Sequence, residues 1–179
     1  MISKRAQATP SSPIRKIAHL AEDAKKRGIK VFHLNIGQPD IESPKEFFEG
    51  ISAYKEKIVS YDPASGSSSL KKAWSEYYRK TVNIDVPAEQ IVITSGASEA
   101  LLFSFMIMCD AGEEIIVFEP TYANYLGFAA SVDVKFKALE TYIEEDFKLP
   151  STQKIKEAIS AKTKAILLCN PNNPTGTLY

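Results

Sequence analysis

Apolar residues recur every three or four positions through much of the first half of the chain, which is the spacing of amphipathic helices. Ser12-Pro13 supplies a helix cap and a first-turn proline, and Gly28 supplies a terminator. Gly37 and its neighbours form a turn-rich segment. The pattern therefore predicts helices over residues 12–28, 43–55 and 67–80, and a short strand over residues 31–35.

The pattern changes after Gln90, where short β-rich runs alternate with helical segments. This order is typical of a parallel sheet with crossover helices, so the predicted fold class is α/β. The last strand is a continuous apolar run of the kind that is buried on both faces, and we expect a longer polypeptide or another chain to complete the sheet. The predicted strands are 91–94, 114–118, 132–139 and 165–169, and the predicted helices are 98–109, 122–130 and 151–160.

The composition is that of an ordinary globular protein of 179 residues, with 44% hydrophobic and 25% charged residues. Basic and acidic residues balance at 22 each, so no attraction to nucleic acid or to an anionic membrane is expected. No apolar run approaches the ~20 residues of a membrane span, and the first twelve residues lack a secretory signal core, which predicts a cytoplasmic location. Cys109 and Cys169 lie in separate apolar runs, so we expect inert buried thiols and no metal site.

The segment from Thr94 to Glu99 lies where a predicted strand turns into a helix. The first N–H groups of that helix and the positive end of its dipole would point out of the carboxyl edge of the sheet, where they suit a phosphate. Ser95 and Ser98 would add hydroxyl groups, and the small residues would let the anion approach the backbone. A tight turn with Ser98 as the helix cap is the alternative. The segment matches neither of the glycine-rich nucleotide motifs.

Two more loops follow predicted strands at the same edge. In Asn170-Pro171-Asn172-Asn173-Pro174-Thr175-Gly176, two prolines flank two asparagines, which makes the loop rigid and polar. The alternative is an ordinary turn built from turn-forming residues. Tyr122 follows another strand, so its ring is placed either to cover a planar ligand or to join the core.

Taken together, these segments resemble the class I/II aminotransferases, the fold-type I pyridoxal-phosphate enzymes that include aspartate aminotransferase. The resemblance implies that residues 45–179 are part of the large domain, with a mainly parallel sheet and crossover helices. It also implies that residues 1–44 are an N-terminal arm and part of the small domain. The segments that carry the resemblance are 12–15, 34–40, 61–66, 95–101, 120–122 and 170–176.

The resemblance implies a role for each residue of the predicted cofactor site. Gly96, Ala97 and Ser98 would hold the phosphate of pyridoxal 5′-phosphate. Tyr122 would stack on the pyridine ring, and Asn173 would donate a hydrogen bond to the phenolic oxygen. Tyr122 and Asn173 would also face the substrate.

Two further residues are assigned by the resemblance alone. Gly37 would contribute backbone to the pocket for the substrate carboxylate. Tyr61 would reach into the phosphate site of a neighbouring subunit, which implies a homodimer. The family also implies cis peptide bonds before Pro120 and Pro174.

In the family, a lysine beyond the Asn-Pro-Thr-Gly loop binds the cofactor covalently, and an aspartate and an arginine also lie further along. No lysine of this chain has that context, and no arginine follows Arg79. The expected function is therefore the N-terminal part of an aminotransferase acting on an L-amino acid, with aspartate as a candidate, and a 2-oxo acid. The part alone is expected to be inactive. A carbon–sulfur β-lyase of the same fold and a truncated, non-catalytic binding module are the alternatives.

Overall fold

The computed structural model describes residues 1–9, 16–35 and 37–179. They form two compact units. The first, called the sheet unit, comprises Met1–Ile29 and Ser95–Tyr179, and the other, the helical unit, is Lys30–Thr94. The predicted division at residue 44 refers to the domains of a whole aminotransferase, so it stays a prediction.

Among the described residues, four α-helices lie before residue 95. The second confirms the described part of the first predicted helix, and it ends just before Gly28, whose φ of 78° is the left-handed conformation of a helix terminator. The predicted cap at Ser12-Pro13 lies outside the described residues. The third and fourth helices confirm the predictions over 43–55 and 67–80. The four are α1 (Lys4–Ala8), α2 (Ala18–Lys26), α3 (Lys45–Ala53) and α4 (Ser68–Val82).

Two predicted strands are wrong. Residues 31–35 and 91–94 form no strand, since neither segment pairs with another strand among the described residues. Ile93 instead donates its N–H to the carbonyl of Ser65, at 3.0 Å. The turn at Gly66 permits this contact, because its φ is 95° and a side chain there would overlap Ile93.

The described sheet consists of three parallel strands in the order β2-β1-β3. β1 is central, and its residues Ile115, Ile116 and Val117 are almost fully buried, as expected of a strand covered on both faces. The sheet confirms the predicted α/β class. β2 starts later than predicted, because Asp133 turns the chain with a φ of 61°. The strands are β1 (Glu114–Glu119), β2 (Lys135–Glu140) and β3 (Thr163–Leu167).

Three helices cover the two faces of this sheet, and they confirm the last three predicted helices. They are α5 (Ala97–Met108), α6 (Asn124–Ser131) and α7 (Thr152–Ala158). Ile115 and Val117 point to one face, where they pack with residues of α5 and α6. Ile116 and Phe118 point to the other face, where they pack with α7. Among the helices of the described residues, none combines the length and the apolar content that crossing a membrane requires.

Candidate functional site

The start of α5 lies at the carboxyl edge of the sheet. The other end of this helix, at Met108, connects through a short turn to Glu114, where β1 begins. The helix packs along the sheet, since the rings of Phe105 and Phe136 meet edge-on at 5.8 Å. Twelve residues of helix span about 18 Å, so Ala97 reaches back to the edge where the parallel strands end.

Residues 96–98 are exposed at this helix start. The helix cap is Gly96, so the alternative in which Ser98 caps the helix is wrong: Ser98 lies inside the first turn. The carboxylate of Glu99, in the same turn, accepts the N–H of Ser95 at 2.7 Å and so ties the residue before the cap to the helix. In the first turn of a helix, groups such as the N–H of Ala97 and Ser98 have no intrahelical acceptor, which suits them to bind an anion.

Tyr122 follows the end of β1 after the cis Glu119-Pro120 bond, which was predicted. Its ring is half-buried and lies edge-on to the ring of Tyr125, with 5.2 Å between centroids. Its hydroxyl accepts a hydrogen bond from Asn124 Nδ2 at 2.6 Å. Two neighbours therefore fix the orientation of the ring, which is not part of the buried core.

The loop after β3 separates two adjacent asparagines by burial. Asn172 is 6% exposed, whereas Asn173 is exposed. Asn172 Nδ2 donates to the carbonyl of Pro120 at 3.1 Å and to Thr175 Oγ1 at 2.8 Å. The first of these bonds ties the loop to the segment that carries Tyr122. The predicted cis bond before Pro174 is confirmed, and a further one precedes Pro171.

Cys169 is a part of this site that the sequence analysis missed. It is half-buried rather than buried, and its Sγ accepts the backbone N–H of Asn173 at 3.4 Å. Burial, and then a hydrogen bond with Cys169, raise the pKa of Tyr125 to about 12. Cys109 is also half-buried, and burial raises the pKa of its thiol. In the sequence, only the position of Cys169 directly before this loop could have indicated that it contributes to the site.

The structure therefore gathers the predicted residues of the sheet unit at one edge of the sheet. They are Gly96, Ala97 and Ser98 at the start of α5, Tyr122 after β1 and Asn173 after β3. Gly37 and Tyr61 belong to the helical unit, where both are exposed. Their predicted roles stay predictions.

A neighbouring cavity of about 490 Å³ is partly lined by acidic side chains. Glu119, Glu140 and Tyr142 line it, and none of the residues predicted to hold the cofactor does. The Tyr142 hydroxyl donates to Glu140 Oε2 at 2.7 Å. Two carboxylates in one cavity repel an anion, so the start of α5 suits an anion better than this cavity does.

Comparison with known proteins gives a consistent result. Residues 29–179 match the family model described as aminotransferase class I and II. The chain is 34% identical over 180 residues to a probable aspartate aminotransferase of Methanocaldococcus jannaschii, covering 100% of the chain and 46% of that protein. It is 31% identical over 182 residues to an aspartate/prephenate aminotransferase of Thermus thermophilus, covering 99% of the chain and 46% of that protein.

Solved structures extend the likeness to the backbone. An alanine aminotransferase from Pyrococcus furiosus matches with a TM-score of 0.92 and 36% identity, over 100% of this chain and 46% of that one. The chain thus spans about half the length of the curated relatives it matches.

Proposed function

Because this chain belongs to the class I and II aminotransferase family, we propose that it forms the N-terminal part of a pyridoxal-phosphate-dependent aminotransferase. The whole enzyme would move an amino group between an L-amino acid and a 2-oxo acid. The observation that carries the proposal is the hydrogen bond from Asn172 to the carbonyl of Pro120. It brings the Asn173 loop beside the Tyr122 segment, at the edge where α5 begins.

The residues at this edge fit the parts of the cofactor. Ala97 and Ser98 are exposed, and their N–H groups, with the Ser98 hydroxyl, suit a phosphate at the positive end of α5. Tyr122 offers an aromatic ring whose orientation is fixed by Tyr125 and Asn124. Asn173 offers an exposed amide on a loop held closed by buried bonds.

Pyridoxal phosphate, when bound, supplies a ring that withdraws electrons from the α-carbon of the amino acid. The helix start would hold the phosphate throughout, so that the cofactor stays in place while its other bonds change. The Asn173 amide would donate to the phenolic oxygen and stabilise its anionic form. Tyr122 would cover one face of the ring and exclude water from it.

Aspartate is our first candidate for the amino donor, since the M. jannaschii and T. thermophilus relatives carry aspartate aminotransferase names. The P. furiosus protein is named for alanine, so small aliphatic donors belong in the same assay. These three proteins are all named as aminotransferases, which supports amino transfer over the β-lyase alternative. In this proposal, the backbone of Gly37 contributes to the site for the substrate carboxylate.

We further propose a cytoplasmic homodimer in which Tyr61 reaches the phosphate of the neighbouring subunit. The side chain of Tyr61 is fully exposed within this chain, which supports such a role. We also propose that the lysine that binds the cofactor lies outside these residues. The support is that this chain covers 46% of the M. jannaschii relative and that none of its lysines has the family context.

The test measures cofactor binding and amino transfer from aspartate and alanine to 2-oxoglutarate by the complete gene product that contains this sequence. We expect both, and we expect Ser98→Ala to weaken cofactor binding by about tenfold or more, through loss of a charge-assisted hydrogen bond. Ser104→Ala is the matched control, because Ser104 lies on the same helix and its hydroxyl bonds the carbonyl of Ala100.

The residues of this chain alone should retain no cofactor absorption after dialysis. A gene product that neither binds pyridoxal phosphate nor transfers the amino group would refute the proposed function. A band retained by these residues alone, and mapped by borohydride to one of their own lysines, would refute the proposed location of the catalytic amine.

A further inference from the structure

Two side chains close to Asn173 are already committed to bonds within the protein. Asn172 is 6% exposed, and its Nδ2 donates to Pro120 and to Thr175. Its backbone N–H donates to the carbonyl of Thr177 at 2.8 Å, and its carbonyl accepts the N–H of Gly176 at 2.8 Å. The residue before Asn173 is therefore held through both its side chain and its backbone.

Cys169 is the second of these side chains, and it holds the same peptide from the other side. Its Sγ accepts the N–H of Asn173 at 3.4 Å and lies 3.6 Å from the carbonyl of Pro171, to which the thiol donates. A thiol can act as donor and acceptor at once, which a methyl group in the same position cannot do. The position of the Asn173 backbone thus depends on the sulfur of Cys169.

Both residues also connect to Tyr122. Asn172 bonds the carbonyl of Pro120, two positions before Tyr122. Cys169 lies close enough to the hydroxyl of Tyr125 to raise its pKa, and the ring of Tyr125 meets the ring of Tyr122 edge-on at 5.2 Å. Two separate links therefore join the side chains proposed to contact the cofactor.

From these contacts we infer that Asn172 and Cys169 are positioning residues, which fix the Asn173 amide and the Tyr122 ring relative to each other. This inference rests on the proposed function, because the groups it positions are the proposed cofactor contacts. The two residues act through Asn173 and Tyr122, since Asn172 Nδ2 and Cys169 Sγ are bonded to groups of the protein itself.

The measurement is a pH titration of the absorbance of the bound cofactor in the complete gene product. In the bound cofactor, the phenolic oxygen shares a proton with the nitrogen next to it. A hydrogen bond donated by the protein stabilises the anionic oxygen and so favours loss of that proton. Loss of the donor therefore raises the pKa of the bound cofactor. We expect Asn173→Ala to raise it by about one unit.

The positioning variants should move the same titration without touching Asn173. Asn172→Asp keeps the size of the side chain but replaces the donor that faces the Pro120 carbonyl with an oxygen. We therefore expect it to raise the pKa of the bound cofactor by at least half of the Asn173→Ala shift.

Cys169→Ala should also raise the pKa of the bound cofactor. Cys169→Ser, which keeps a donor and an acceptor, should restore most of the original value. Cys109→Ala is the matched control at the end of α5, and it should leave the titration unchanged.

The outcomes distinguish a failure of the positioning role from a failure of the cofactor assignment. If Asn173→Ala shifts the titration while Asn172→Asp and Cys169→Ala do not, the positioning role is refuted and the cofactor assignment stands. If Asn173→Ala causes no shift, the cofactor assignment fails and the positioning role fails with it. If Asn172→Asp does not fold, the comparison of Cys169→Ala with Cys169→Ser decides. An equal shift in Cys109→Ala would refute the specificity of the effect.

Discussion

Glu114, the first residue of the central strand, shows how single residues stabilise the edge of the sheet opposite the candidate site. Its Oε1 accepts hydrogen bonds from the hydroxyls of Ser160 and Thr163, each at 2.7 Å. These bonds, that of Ser160 first, hold the pKa of the Glu114 carboxyl below its ordinary value. Glu113 is paired with Lys164 at 2.8 Å on the same side. Stabilising bonds thus lie at the amino edge, while the candidate site occupies the carboxyl edge.

Glu114→Gln tests this role through the pH dependence of stability. A carboxyl whose pKa is lowered by folding stabilises the protein above its unfolded pKa, and this contribution is lost as the pH falls through the folded pKa. The variant should therefore have a lower free energy of unfolding than the original at pH 7, and the difference should shrink in acid.

Denaturation in urea at pH 7 and at acidic pH measures the difference. Glu144→Gln is the control, because Glu144 is exposed, whereas Glu114 is half-buried, and it lies in a short turn of helix outside the strands. A difference for Glu114→Gln that stays constant across the pH range would contradict the argument.

At the scale of elements, α5 combines a candidate binding end with a core-forming face. Leu101 and Phe105 pack into the cluster around Ile115, whereas Met106 and Ile107 remain exposed on another side of the helix. The helix is apolar nearly all round, which is typical of a helix covered on several sides. Its packing against the sheet determines where its N-terminus lies, and so where an anion can bind.

Replacing the buried side chain should affect stability much more than replacing the exposed one. Phe105 is 1% exposed and Ile107 is 83% exposed. We expect Phe105→Ala to lower the free energy of unfolding by about 3–5 kcal/mol, through lost burial and a cavity. Ile107→Ala should change it by about 0.5 kcal/mol or less. Denaturant unfolding measures both, and equal effects would show that α5 packs through a different face.

At the scale of the whole molecule, the described residues leave much apolar surface uncovered. The sheet has unpaired edges at β2 and β3 within the described residues, and exposed strand edges promote association. Large apolar side chains are exposed in both units, with Ile107 in the sheet unit and Leu34 and Val59 in the helical unit. Surface of this kind marks sites that bind other polypeptide.

These residues, expressed alone, should therefore associate in a concentration-dependent way. Sedimentation velocity at several concentrations measures the association, and Ile107→Lys should reduce it by placing a charge in the apolar surface of α5. Lys162→Glu, a change on an already polar surface position, is the control. A single monomeric species at every concentration would contradict this expectation.

The agreement between prediction and structure differs between elements for a physical reason. The helical periodicity of α3 and α4 depends on residues within one turn of each other, so the sequence was sufficient to predict these helices. Residues 31–35 and 91–94 have strand-like composition, yet a strand also needs a neighbour to pair with, and no local pattern reveals it. The same limit applies to the start of α5, where Ser98 was the alternative candidate for the helix cap and the structure has Gly96 instead.

The sequence by itself determined the α/β class, the order of the helices and strands after residue 95 and the chemistry available in each loop, because periodicity and side-chain type are local properties. Only the tertiary structure decided that Asn172 is buried and Asn173 exposed, and that Cys169 and Tyr125 belong to the site. Asn172 and Pro120 are 52 positions apart along the chain. Contacts over such distances arise when strands pair and helices pack, and neighbouring residues alone do not encode them.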